Sequence, residues 1–216
     1  MSHEQGTWLA GGPRPLPFRR LSPLSRLVSP LCCVVGSFSV LCAEPPARRW
    51  GAQVGLVLPV STDLRLTTAM PAASLGLHGT WFPSGSLRIR PRADYTWFTE
   101  NTQRTSDAVL TQSIDTRVTS LALGADFLYL VAGGVAVGAG IYEIHWQVRS
   151  TNRLSLPSTG TATVSGTSSW WRLGLGPVID VRVSEHLEID GRLVFSRYGA
   201  ENQTATTASL GLLWHF

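Results

Sequence analysis

The sequence predicts an all-β fold, an eight-stranded antiparallel up-and-down transmembrane β-barrel, on three observations. Apolar and polar residues alternate with a period of two in runs of about ten residues. The connections between runs alternate between short turns and longer polar segments, the loop pattern of an up-and-down membrane barrel. Aromatic residues collect near run ends, where the two membrane–water interfaces would place them. After residue 43 no segment carries a sustained helical period with caps.

Eight runs follow in order, at 49–58, 72–82, 86–99, 115–131, 135–149, 168–183, 187–199 and 205–216. The short turns are Pro83-Ser84-Gly85, Ala132-Gly133-Gly134 and Ser184-Glu185-His186. The longer segments fall around 59–71, 100–114, 150–167 and 200–204. Both chain termini then fall on the short-turn side, which demands an even number of strands. The uncharged stretch Phe127–Tyr142, with Gly134 and Gly138 at GxxxG spacing, could instead be a short helical span. Its Ala-Gly-Gly centre makes a better hairpin turn, and Asp126 and Glu143 bound it closely.

The faces show what surrounds the strands. In the third run Leu87, Ile89, Ala93, Tyr95 and Trp97 oppose Arg88, Arg90, Arg92, Asp94 and Thr96. In the seventh, Leu187, Ile189, Leu193 and Phe195 oppose Glu188, Asp190, Arg192 and Ser196. In the sixth, Trp171, Leu173, Leu175, Ile179 and Val181 oppose Arg172, Asp180 and Arg182. The fifth is less regular, with Tyr142, Ile144 and Trp146 opposing Glu143, His145 and Gln147. Acids and bases on these polar faces are comparable in number. Turned inward they would neutralise one another as a hydrogen-bonded network of Arg88, Arg90, Arg92, Asp94, Asp126, Arg172, Asp180, Glu188, Asp190 and Arg192. Trp50, Trp81, Phe127 and Tyr129 are assigned to the short-turn girdle; Tyr95, Trp97, Trp146, Trp170, Trp171 and Tyr198 are assigned to the long-loop girdle.

Charge and cysteines divide the chain at the same place. Of 216 residues 15% are charged, below the roughly 25% usual for soluble domains. All 18 basic residues are Arg. Four of them, with Glu4 as the single acid, lie in residues 1–43; the other 14 face 13 acids, so the basicity belongs mostly to the first 43 residues. No basic stripe remains to bind nucleic acid. Leu31–Ala43, LCCVVGSFSVLCA, has the apolar core and small terminal residue of a secretory signal, preceded by an Arg-bearing region. A cleaved signal peptide at 1–43 and a barrel domain at 44–216 are expected. Thirteen apolar residues are too few for a helical anchor. Cys32, Cys33 and Cys42 all fall in the leader, which leaves the mature chain without a disulfide or thiolate metal site. Lipid attachment at Cys42 is disfavoured by Leu41, where a small residue is wanted.

The chain ends with Leu210, Leu212, Trp214 and Phe216 on one face. With the leader and the eight runs, this resembles the small eight-stranded bacterial outer-membrane barrel proteins, the OmpA/OmpX-like barrels. The resemblance covers the whole mature chain and rests on pattern. It implies the outer membrane of a Gram-negative bacterium as location, and outer-membrane lipid and lipopolysaccharide as surroundings. It also implies that Leu210, Leu212, Trp214 and Phe216 are read by the barrel-assembly machinery. No cofactor, metal or catalytic residue is expected.

An eight-stranded bore is narrow enough for side chains to fill, so a general porin is disfavoured. The preferred reading is a non-enzymatic structural or surface-interaction protein acting through its long loops. Segment 150–167, rich in Ser, Thr and Gly, is expected to be a mobile contact loop. One alternative is a narrow pore. Another is an enzyme of lipopolysaccharide acyl chemistry, for which an inward Glu143–His145 pair near the loop end and a Ser such as Ser74 would be needed; His78 and His215 read as inward packing positions, and no G-x-S-x-G occurs. A third is a soluble barrel with its apolar faces turned inward around a ligand.

Overall fold

In a computed structural model, residues 49–107, 110–132, 134–156, 160–199, 201 and 203–216 are described. The leader expected at 1–43 lies outside them. The elements are β1 (Arg49–Pro59), the helix α1 (Thr62–Thr67), β2 (Ala69–Thr80), β3 (Leu87–Thr99), β4 (Asn101–Ser106), β5 (Thr111–Ala132), β6 (Val135–Leu156), β7 (Gly160–Arg182), β8 (Leu187–Tyr198) and β9 (Gln203–His215). Each wall pairs antiparallel with the next, and β9 returns to pair with β1. β4 continues β3 along β5 after the register slips by one residue between Trp97 and Asn101. The ring therefore has eight walls and no open edge around the bore.

The closure is staggered. The register leads from Trp50 to Gly79, which packs on Pro91, then through Ala125, Ile141, Leu175, Phe195 and Thr206. The Thr206 carbonyl then accepts a hydrogen bond from the Val60 amide, ten residues beyond Trp50 on the first wall. Such a stagger tilts the strands against the barrel axis.

Period-two burial follows. On β3 alternate residues from Arg88 to Phe98 are buried while Leu87, Pro91, Tyr95 and Trp97 are exposed. The outward set is apolar around the ring: Val54, Leu56, Leu75, Leu77, Leu123, Ile141, Leu173, Leu175, Ile179, Leu210 and Leu212 are all more than 40% exposed. From Trp171 on β7 the outward apolar series runs to Val183, one residue past the end of the strand. These thirteen residues make twelve steps of ~3.3 Å, which at a tilt of ~40° span roughly 30 Å, the thickness of the hydrocarbon. Apolar faces turned outward overturn the soluble ligand-binding alternative. The stretch Phe127–Tyr142 is the turn of the β5–β6 hairpin, not a helix, with Gly134 at φ +84°. Among the described residues no helix is long and apolar enough to cross a membrane.

Three predicted loops carry structure of their own. The 59–71 segment contains α1. The 100–114 segment supplies β4 and the start of β5. The 150–167 segment, expected to be a mobile loop, instead prolongs β6 to Leu156 and begins β7 at Gly160. β4, β5, β6 and β7 thus rise beyond the ring as a four-stranded sheet. Its Thr and Val residues suit strands, but the first ten residues of β7 are all exposed. With water on both sides no apolar alternation arises, and the composition reads as loop.

Candidate functional site

The bore is filled in layers by the inward residues of β3, in order from the short-turn end. Arg88 and Arg90 come first. Both guanidinium groups donate to Asp180 at 2.5 Å and to Glu188 at 2.9 Å. Arg182 reaches Glu188 at 3.4 Å from the rim, and the His215 ring lies 3.1 Å from the same carboxylate. One step higher, Arg92 contacts Asp94, Asp126 and Asp190 and donates to Gln53. Arg192 completes this layer against Asp94 at 2.9 Å and Asp190 at 3.0 Å. Tyr142 donates to Asp126 at 2.5 Å, its ring standing over the space left by Gly124 and Gly140, where a Cβ would collide with it.

Position on the ring gives these contacts their consequence. β3 and β8 are four walls apart in either direction, hence diametrically opposed. Arg88–Glu188, Arg92–Asp190 and Asp94–Arg192 therefore bridge the full width of the bore. Arg88, Arg90, Arg92, Arg182 and Arg192 face Asp94, Asp126, Asp180, Glu188 and Asp190, five charges against five. A balanced, hydrogen-bonded set is the arrangement in which buried charge is tolerable.

Above the charges the interior turns apolar. Val57, Phe98, Val118, Ile144, Trp146 and Tyr198 form a buried cluster against which Trp170 packs. Between this cluster and the Asp94–Arg192 pair lies a cavity of about 50 Å³, bordered by Ser74, Thr96, Ser120, Thr207 and Ser209. α1 closes the loop-side mouth, its Leu64 fully buried. Its polar ties reach the rim. The Thr67 hydroxyl lies 2.8 Å from that of Tyr198, Asn101 and Gln103 donate to the Leu66 carbonyl, and the Asp63 carboxylate accepts the Thr204 amide. Ser61, at the helix start, spends its hydroxyl on β9 rather than on a cap.

Nine of the ten residues expected to form the charge network meet in the bore. Arg172 does not. It lies at the upper rim and donates to the carbonyls of Trp171 and Gly199, because the interior beside it is already apolar and offers no acid. The same inversion corrects the aromatic girdle. Tyr95, Trp97 and Trp171 face outward, but Trp146, Trp170 and Tyr198 point into the upper bore. It also turns Glu143 and His145 outward, opposite to the expectation, since Tyr142, Ile144 and Trp146 take the inward positions of β6. Ser74 faces the bore, so the Ser74–His145–Glu143 trio considered for acyl chemistry does not assemble. Gln53, Tyr142, Arg182 and His215 join the network beyond the expected set. The inward face of Gln53 was legible from alternation; its Asp94 partner was not. On β9, Leu210, Leu212, Trp214 and Phe216 form one outward stripe while Leu213 is buried inward. Among the described residues no group of His, Cys, Asp and Glu could hold a metal ion.

No family model matches this sequence, and no curated protein matches it either. Among solved structures, the attachment invasion locus protein Ail of Yersinia pestis is 10% identical with a TM-score of 0.47, over 80% of this chain and all of that one. A major outer membrane protein of Thermus thermophilus is 13% identical with a TM-score of 0.45, over 79% and 100%. Neisserial surface protein A is 16% identical with a TM-score of 0.43, over 80% and 100%. These values express a loose similarity of shape. The closed ring, the apolar outer wall and the charged bore are what make this chain an eight-stranded antiparallel transmembrane β-barrel.

Proposed function

We propose that the protein is a closed, non-enzymatic scaffold of the Gram-negative outer membrane that holds the β4–β7 sheet above the bilayer as a contact surface. The observation that carries this reading is the set of ion pairs joining β3 to β8 across the bore. An ion or solute would have to break several buried pairs at once to pass. A large pore is therefore not what the interior is built for. The sheet, with β7 exposed from Gly160 onward, is the part free to meet a partner. The leader at 1–43 would direct export, and the stripe Leu210, Leu212, Trp214 and Phe216 would present the last strand to the barrel-assembly machinery. Lipopolysaccharide would surround the loop-side half of the wall.

Refolded protein in a planar lipid bilayer tests the reading directly. Its expected record is silent, without unitary steps. Sustained large steps from the wild type would overturn the closed-scaffold reading in favour of the pore.

A further inference from the structure

The ladders of the ring differ in height, and the one between β7 and β8 stops low. Its rungs run from Arg182–Glu188 to Val178–Arg192, with a last one at Leu175–Phe195. Pro177, just below that last rung, has no N–H to lend to a ladder. Above it Ser196, Arg197 and Tyr198 pair with β9 alone, and β7 pairs with β6 alone. The apolar outer wall nevertheless continues upward through Leu173 and Trp171, 63% and 48% exposed. The seam therefore begins within the height of the lipid-facing wall, where strand edges without ladder bonds are costly.

Side chains close the seam in place of the ladder. Gly174 faces the bore, and Ile144 and Val194 lie over it: a Cβ there would meet their methyl groups at 2.6 and 3.1 Å. Higher up, Arg172 reaches across to the Gly199 carbonyl, just past the end of β8, at 2.9 Å. Ile144 and Val194 also border the cavity of about 50 Å³. Val57, Phe98 and Trp146 line its apolar part, and the five hydroxyl residues already named line its polar part. The Ser74 hydroxyl and the Trp146 Nε1–H, both buried, have no hydrogen-bond partner among the described residues.

The cavity holds about four water-sized groups, enough for a small polar head and its first carbons but not for a chain. α1 covers the top and bridged charges fill the bore below, so a chain has only the sideways exit. Arg92 and Arg192 face Asp94, Asp126 and Asp190, which leaves one negative charge in excess beneath the cavity. An anionic head is disfavoured there, whereas a hydroxyl group suits Ser74 and Trp146.

We propose that the upper bore binds a single-chain lipid with a small uncharged polar head, of the fatty-alcohol class, taken in sideways between β7 and β8. The head meets Ser74 and Trp146, and the chain passes over Gly174 and leaves along Leu173 and Phe195. The proposal rests on the membrane orientation given above and goes beyond the scaffold reading. The bridges below keep the bore shut whether or not the lipid is bound.

The test uses the full barrel refolded in phosphatidylcholine nanodiscs at mildly alkaline pH. The probe is dodecanol carrying a photoreactive diazirine beside its hydroxyl group, and peptide mass spectrometry locates the label. Label should fall on Ile144, Trp146 and Val194 and be competed by plain dodecanol. Dodecanoate, ionised at that pH, should compete at least about tenfold less well. Gly174→Val, which crowds Ile144 and Val194 in the seam, should cut interior labelling about tenfold and leave labelling of the outward Leu173 unchanged. Ser74→Ala leaves the seam as it is and should weaken dodecanol about fivefold, the worth of one hydrogen bond. Heat-modifiable gel mobility checks that each variant is folded; Val194→Trp fills the same seam and replaces Gly174→Val if that variant does not fold. Label confined to Leu173, Leu175 and Phe195, interior label undiminished in the seam variant, or equal competition by dodecanoate would each overturn the proposal. Wild-type protein that fails to enter the nanodisc overturns the barrel reading itself; protein that enters and is labelled only on its outer wall overturns this inference alone.

Discussion

Arg92 is the side chain on which the bore depends most, since it touches Asp94, Asp126, Asp190 and Gln53 at once. Removing one partner of a buried pair leaves the others charged and uncompensated, at a cost of about 3–5 kcal/mol. Arg92→Ala should lower stability by that amount, measured by guanidinium unfolding in lipid vesicles. Gly124 is a second sensitive position. A Cβ there would meet the Ile141 carbonyl oxygen and the Tyr142 ring, so Gly124→Val should displace Tyr142 from Asp126. The expected readout is an unfolding midpoint lower than wild type, with Gly85→Ala, where a Cβ meets open space, as the unaffected control. Which residues turn inward was legible for Arg88, Arg90 and Arg92 from alternation alone. Which acid each one meets was not. Partner choice depends on the ten-residue stagger of the ring, and that is a property of all eight registers together.

Single elements were legible wherever one face meets lipid. Strands β1, β3, β8 and the lower halves of β5, β6 and β7 keep a period of two because each has an apolar environment outside and a polar one inside. The signal fades where that contrast ends. In the upper half of β6 the interior is apolar and the exterior polar, so the alternation continues with its meaning reversed. A rule that sends every polar face inward therefore misplaces Trp146, Glu143 and His145. In β4 and the start of β7 both faces meet water and the pattern vanishes. α1 is six residues long and has no side-chain cap, too short for helical periodicity to register. Its position is held by Leu64, so Leu64→Asp should free it from the mouth. Trypsin cleavage at the exposed Arg65 should then become much faster than in wild type, while the barrel below stays intact on heat-modifiable gels.

For the whole molecule, closure is the property that organises the rest. A ring whose first and last strands pair leaves no open edge around the bore, and can place its apolar surface in lipid and its charges within. Its resistance should be collective: after urea washing the protein should remain in the membrane pellet, and an unheated sample should migrate apart from a boiled one. A protein released by urea would not be this barrel.

The bridges across the bore also bear on the order of events during folding. Arg92 and Asp190 lie almost a hundred residues apart, on strands that share no ladder. They cannot meet until the sheet has curled and its first and last strands are close. Their energy is thus absent from any early, open form and present only in the sealed one. Weakening them should leave the rate of insertion nearly unchanged and raise the rate of opening instead. The charges inside would then act chiefly as a latch, setting how long the barrel stays shut rather than how quickly it forms.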